Sequence, residues 1–200
     1  VSRIMRRTGQ SRGAQNPHTK GGRRAHGPKV EKNWGRKLNL KERRLARDSA
    51  LSATTNVETV SARGHRFSED IADLPIVLGN YAEVRDGKTE EFSIESFNHG
   101  SATRKVLAIF NEIGIGADLM RARDGRNIRA GKATMRGRVH KTPKSVLLVV
   151  KEKSGLAQAA RNLPGVDVVA ARDLCAEDLA PGGDIGRLTV FTKDAVEALN

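Results

Sequence analysis

The sequence predicts an α/β domain built on a mainly parallel sheet, preceded by a basic segment with no core of its own. Three observations lead there. From about residue 40 onward, short runs of β-branched residues alternate with apolar residues at helical spacing, the pattern of βαβ units. Glycine and proline clusters punctuate the alternation, as at Pro164-Gly165 and Pro181-Gly182-Gly183. The charge is also confined. The chain carries 36 Lys and Arg against 23 Asp and Glu, but residues 1–47 hold 15 basic and two acidic side chains, whereas residues 48–200 hold 21 of each. The 200-residue chain thus divides into a basic first quarter and an electrically neutral remainder long enough for one domain.

Residues 1–37 contain six glycines, two prolines, eleven Lys or Arg and a single acid, with no sustained apolar period. Such a stretch buries too little apolar surface to offset its ordering entropy, so it reads as an extension ordered on a partner. Asn39 followed by Glu42 opens a helix over 40–55, with Ala46, Ala50, Ala53 and Val57 at helical spacing and Arg43, Arg44 and Arg47 on other faces. Residues 57–60 and 75–78 read as strands. Val106, Leu107, Phe110 and Ile113 mark a helix that Gly114 ends. The clearest unit is late: a strand at 145–150, a helical stripe of Leu156, Ala159, Ala160 and Leu163, a stop at Pro164-Gly165, and a second strand at 166–170. Such a crossover is right-handed by default. A short helix at 173–179, a strand at 187–192 and a final helix from Lys193 continue the alternation. Ahead of the strand at 145, residues 121–144 carry nine Lys or Arg against the lone acid Asp124 and read as a basic loop at one end of the sheet.

Several chemistries fail on spacing. Gly125 to Lys132 ends in Gly-Lys, but five residues separate Gly125 from Gly131 and Ala133 replaces the hydroxyl that a phosphate-binding loop needs for magnesium. Gly114-Ile115-Gly116 follows a helix where a dinucleotide fingerprint must follow a strand. The histidines at 18, 26, 65, 99 and 140 have no metal-ligand spacing, and the single Cys175 excludes a disulfide framework and fits a reducing compartment. No metal ligand and no cofactor is expected. The apolar runs, such as residues 146–150, are no longer than five residues, far short of a membrane span. Acids gather late, at Asp167, Asp173, Glu177, Asp178 and Asp184. They keep open an alternative reading, a magnesium-dependent nucleic-acid-processing enzyme, though early-helix charges explain them as well.

Electrostatics gives the stronger signal. Lys and Arg interleaved with glycine let a backbone lie close to phosphates, and each phosphate neutralised releases counterions. Two separate basic tracts, with only seven aromatic residues in the chain, favour backbone and shape contact with a folded RNA over stacking across a sheet face. In the second tract, Arg126, Arg129, Lys132, Arg136 and Arg138 are the expected phosphate contacts.

Six blocks in order carry a resemblance. They are His26-Gly-Pro-Lys-Val-Glu-Lys32; Leu40-Lys-Glu-Arg43 with Ser49-Ala-Leu-Ser-Ala-Thr54; Ala62-Arg-Gly-His65; Ile128-Arg-Ala-Gly-Lys132 with Met135-Arg-Gly-Arg138; Asn162-Leu-Pro-Gly-Val-Asp167; and Asp178-Leu-Ala-Pro-Gly-Gly183 running into Gly186-Arg-Leu-Thr-Val-Phe191. The chain resembles the large ribosomal subunit protein four family of the archaeal and eukaryotic type. The resemblance implies a Rossmann-like three-layer domain at 38–200, with the basic loop 121–144, and a long loop that reaches through ribosomal RNA toward the peptide exit tunnel. Residues 1–37 would be the tip and returning arm of that loop. Its outgoing arm and the first strand and helix of the domain would lie upstream of Val1. It implies a non-catalytic, cytoplasmic ribosome component that supports early assembly. Its partners would be large-subunit rRNA, neighbouring large-subunit proteins and, near the loop tip, the nascent peptide, with no membrane partner. The rRNA contacts it implies are Arg3, Arg6, Arg7, Arg12, Lys20, Arg23, Arg24, Lys29, Lys32, Arg36 and Lys37 in the extension; Arg43, Arg44, Arg47, Arg63 and His65 after it; and Arg126, Arg129, Lys132, Arg136, Arg138 and Lys141 in the second tract.

Overall fold

The computed structural model describes residues 26–68, 71, 73–80, 94–96 and 102–199, together with the backbone of four short strands at 4–5, 11–12, 81–85 and 88–92. The chain falls into two compact units, Val1–Lys37 and Leu38–Asn200. The first contains the two-residue strands β1 (Ile4–Met5) and β2 (Ser11–Arg12), paired antiparallel, and every residue from 26 to 37 is exposed.

The second unit opens with α1 (Leu40–Ala53), where the Glu42 carboxylate accepts the Asn39 N–H at 3.4 Å. Next comes α2 (Val57–Ala62). The β-branched residues at 57, 59 and 60 predict a strand here, and the structure corrects that. The Asn56 side chain accepts the Glu58 N–H at 2.9 Å, Thr59 bonds back to the Ala53 and Asn56 carbonyls, and a single residue, Val60, is buried. Capping chemistry outweighs strand propensity when no second apolar row exists to pack.

Strand β3 (Ile76–Leu78) follows as expected, and then an antiparallel hairpin, β4 (Tyr81–Arg85) with β5 (Lys88–Phe92), which the sequence reading lacks. Helix α3 (Ala102–Glu112) buries Val106 and Phe110 one turn apart, and α4 (Gly116–Asp124) buries Asp118, Leu119 and Ala122. The basic tract then forms β6 (Asn127–Ile128), α5 (Lys132–Met135) and β7 (His140–Lys141). It leads into β8 (Leu147–Val150), α6 (Gly155–Arg161), β9 (Asp167–Ala170), α7 (Ala176–Leu179), β10 (Thr189–Thr192) and α8 (Lys193–Leu199). Gly165, in the turn before β9, has φ +76°, and a Cβ there would lie 2.5 Å from the Pro143 carbonyl oxygen. Only glycine satisfies both demands.

The sheet runs β3-β10-β8-β9, all parallel, with Leu147, Leu148 and Val149 of β8 opposite Thr189, Val190 and Phe191 of β10. Alternation divides its side chains between two cores. Leu148, Val150 and Val190 face α3, α4 and α6, against Phe110, Leu119, Leu156 and Ala160. Leu147, Val149 and Phe191 face α1, α7 and α8, against Ala50, Leu179 and Ala195. The result is the predicted three-layer, Rossmann-like arrangement.

Helix α6 follows β8 on one face and α8 follows β10 on the other, so the crevice between the carboxyl ends of these strands is where a doubly wound sheet holds a nucleotide. Glu95 occupies that position. Its carboxylate accepts the Lys151 N–H at 2.7 Å and the Thr192 hydroxyl at 2.5 Å, and its carbonyl accepts Ser154 Oγ at 2.7 Å. The chain thus seals its own switch point.

Candidate nucleic-acid interface

Attention therefore shifts to the opposite, amino end of the sheet, where β8 begins and the basic tract returns to the body. Residues 126–141 fold back as a narrow ribbon in which Asn127 pairs with Lys141 and Ile128 with His140, and the Arg129 N–H reaches the Val139 carbonyl at 2.7 Å. The tip is the short helix α5, and the Arg138 N–H donates to the Ala133 carbonyl at 3.0 Å. Arg126, Lys132, Arg136, Arg138 and Lys141 are exposed, and none is paired with a carboxylate among the described residues. Arg129 is exposed as well and turns its Nε–H to the His140 carbonyl at 3.1 Å. The ribbon also holds Ile128 and Met135 at 73% and 81% exposure.

The root of the ribbon is fixed by a buried carboxylate. Asp118, fully buried on α4, accepts Arg121 Nε at 2.8 Å, Ser145 Oγ at 2.5 Å, His65 Nδ1 at 3.1 Å and the Arg66 N–H at 3.1 Å. Arg121 also donates to the Lys144 carbonyl at 2.8 Å. The helix from which the ribbon leaves is thereby tied to the strand into which it returns. Burial pushes the Asp118 pKa up, but hydrogen bonds from His65, Arg121 and Ser145 outweigh it and hold the carboxyl well below the usual carboxylate range. A second cluster lies beside it. Arg187, 1% exposed, donates to Asp167 at 2.6 Å, to the Ser145 carbonyl at 3.0 Å and to the Asp178 carbonyl at 2.8 Å, while Lys144 reaches Asp167 at 2.7 Å. The Asp167 carboxyl is raised by burial and lowered more strongly by Lys144 and Arg187.

The residues proposed from sequence divide accordingly. The six from Arg3 to Arg24 other than Arg12 lie outside the described residues, and Arg12 is described only as backbone in β2. Lys29, Lys32, Arg36 and Lys37 are exposed, as are Arg43 and Arg44 on α1, while Arg47 is partly shielded and pairs with Asp48 at 3.0 Å. Two others turn inward. The Arg63 guanidinium donates to the carbonyls of Asp184 and Pro181, and the His65 side chain is 2% exposed beside Asp118. These two hold loops of the protein itself. Asp118 and Arg187 carry no signal in the sequence, because a lone Asp on a helix or Arg before a strand is silent until its tertiary partners are known. Arg123, exposed on the last turn of α4, is not among the contacts the resemblance implies, although its place in the basic tract is visible.

Of the acids behind the enzyme alternative, Asp167, Glu177 and Asp178 line one cavity, which they share with Lys144, Arg161 and Arg187. Asp167 is held by Lys144 and Arg187, Asp173 lies near Lys153 and Arg172, and Asp178 accepts the Cys175 N–H at 3.2 Å. Among the described residues no three His, Cys, Asp or Glu side chains converge as metal ligands, and no helix is long and apolar enough to cross a membrane.

Known proteins match nearly the full length of this chain. The model of the ribosomal protein L4/L1 family matches residues 4–200. Large ribosomal subunit protein uL4 of Methanococcus maripaludis is 45% identical over 196 residues, 98% of this chain and 71% of that protein. The protein of the same name from Halobacterium salinarum is 42% identical over 197 residues, covering 98% and 72%. That from Methanocaldococcus jannaschii is 46% identical over 193 residues, covering 96% and 70%. A match of this extent joins the α/β body and both basic tracts in one lineage, and the chain belongs to the ribosomal protein L4/L1 family.

Proposed function

We propose that this chain is a structural, non-catalytic constituent of the large ribosomal subunit that binds large-subunit rRNA and neighbouring proteins in the cytoplasm and supports early assembly. One observation carries the reading: a ribbon of exposed cations, none paired with a carboxylate among the described residues, is stapled at its root by a buried carboxylate. Exposed cations that no carboxylate neutralises are available to phosphates, and a fixed root gives them one register on the RNA. In this reading Arg126, Arg129, Lys132, Arg136, Arg138 and Lys141 form one anchor, joined by Arg123. Lys29, Lys32, Arg36 and Lys37 of the extension and, separately, Arg43, Arg44 and Arg47 on α1 make further contacts. Arg63 and His65 support the body from within.

The extension serves the exit tunnel in the same reading. Its glycines and net charge of +10 suit a segment held by phosphates along its path, with Arg3, Arg6, Arg7, Arg12, Lys20, Arg23 and Arg24 on rRNA and its tip near the nascent peptide. The chain should sediment with large subunits at low salt and be stripped from them by molar salt. A chain that stays free at low salt overturns the reading. For the tunnel, a subunit structure that placed Arg6, Arg12 and Lys20 on the exterior would do the same.

A further inference from the structure

Trp34 is the chain's single tryptophan, and it is 67% exposed on a segment where every residue from 26 to 40 is exposed. An indole in water forgoes the burial that makes aromatic side chains effective in cores. Its ring contact is ionic: Lys32 Nζ lies 4.9 Å from the ring centroid. One ammonium covers one face of a ring, and the exposure puts the rest of the indole in solvent. A local turn presents it. The Asn33 side-chain oxygen accepts the Gly35 N–H at 2.9 Å, closing a tight turn with Trp34 at its apex, and a Cβ on Gly35 would lie 3.2 Å from that oxygen. Lys29, Lys32, Arg36 and Lys37 flank the turn along the chain, against the single acid Glu31.

These features select among occupants. An apolar protein surface would have to strip water from four cations to reach the ring. A nucleobase offers a flat π face to the indole while its own flanking phosphates meet those cations. We propose that Trp34 is a stacking platform for one unpaired nucleobase of RNA, with Lys32 behind the ring. The proposal rests on the rRNA-binding reading and adds a non-ionic contact to it.

Because the tryptophan is unique, its fluorescence reports on this site alone. The full chain is titrated with a short oligoadenylate, with an abasic ribose-phosphate oligomer of equal length, and with large-subunit rRNA. Oligoadenylate and rRNA should quench Trp34 emission, and the abasic oligomer should bind without quenching. Trp34→Ala should weaken oligoadenylate binding by about 5- to 150-fold and leave abasic binding unchanged, with Trp34→Phe recovering part of the loss. The thermal midpoint of Trp34→Ala should equal that of the parent, since the side chain is exposed. Equal quenching by both oligomers, or equal oligoadenylate affinity in Trp34→Ala, overturns the platform. Binding of rRNA without any change in Trp34 emission overturns the platform alone, whereas a chain that binds none of the three ligands overturns the rRNA reading and the platform with it. Normal RNA affinity in Trp34→Ala, with failure to enter particles, assigns the ring to a protein neighbour and also overturns it.

Discussion

Asp118 shows how one side chain can govern a surface it never reaches. Its carboxylate is fully buried and gathers donors from the loop at 65–66, from its own helix and from the start of β8. Removing one partner of a buried ion pair leaves the other uncompensated, so Asp118→Ala should cost about 3–5 kcal/mol, read as a lowered urea midpoint. The pH dependence follows from the depressed carboxyl. An ordinary Asp titrates near about 3.9, and the folded Asp118 lies well below that. Its contribution is therefore complete at neutral pH, begins to fall as pH drops below about 4, and is lost once the folded carboxyl takes a proton. The stability gap between parent and Asp118→Asn should narrow over that acidic range, and a gap that stays constant down to the acid transition would contradict the assignment. Glu95 is the milder counterpart at the other end of the sheet. Glu95→Ala leaves the Lys151 N–H and the buried Thr192 hydroxyl without their acceptor and should cost about 1–3 kcal/mol.

Among the elements, the ribbon of residues 126–141 carries the exposed cations of the second basic tract. If Arg126, Arg129, Lys132, Arg136 and Arg138 neutralise about five phosphates, replacing all five by Ala should make the slope of log affinity against log salt shallower by roughly 3.5 to 4.5. The unfolding midpoint should stay put, because the five side chains are exposed and the Asp118 staple is untouched. An unchanged slope would remove the ribbon from the RNA. The tract was legible in the sequence as charge, and less so as structure. Its cations stood out by composition, but Gly114-Ile115-Gly116 hid the start of α4, and two-residue strands leave no periodic trace. The same limit explains the other differences. Strand β8, helix α6 and strand β9 were readable because each has one uniform run between strong stops. Helix α2 is hidden in the sequence because Val57, Thr59 and Val60 favour strands, whereas the Asn56 cap favours a helix. In β4 and β5 charged residues interrupt the apolar pattern, with Glu90 and Glu91 side by side, so no strand period emerges. Inward-turned Arg63 and His65 could not be told from surface cations, because burial depends on partners some 50 to 120 residues away, Asp118 for one and Pro181 for the other.

At the scale of the whole chain, stability and RNA affinity are assigned to different lengths of sequence. Both hydrophobic cores are built from residues beyond 49, and residues 26–40 contribute no buried side chain. The eleven Lys and Arg of residues 1–37, by contrast, are nearly a third of the chain's cations. A chain lacking residues 1–37 should therefore melt at the parent temperature and with the same cooperativity, because the cores and the Asp118 and Arg187 clusters are intact. Its rRNA affinity should fall steeply with salt but with a shallower slope than the parent's. The change is bounded at about 8 to 10 if every one of the eleven meets a phosphate, and it is smaller in proportion to those that do not. In the parent, amide hydrogens of residues 26–37 should exchange freely in the isolated protein and slow on rRNA, since nothing but a partner offsets the ordering entropy of this glycine-rich segment. A drop of several degrees in the melting temperature of the shortened chain, or slow exchange at 26–37 without RNA, would mean that the arm packs on its own body. In that case its cations could not all be counted as RNA contacts.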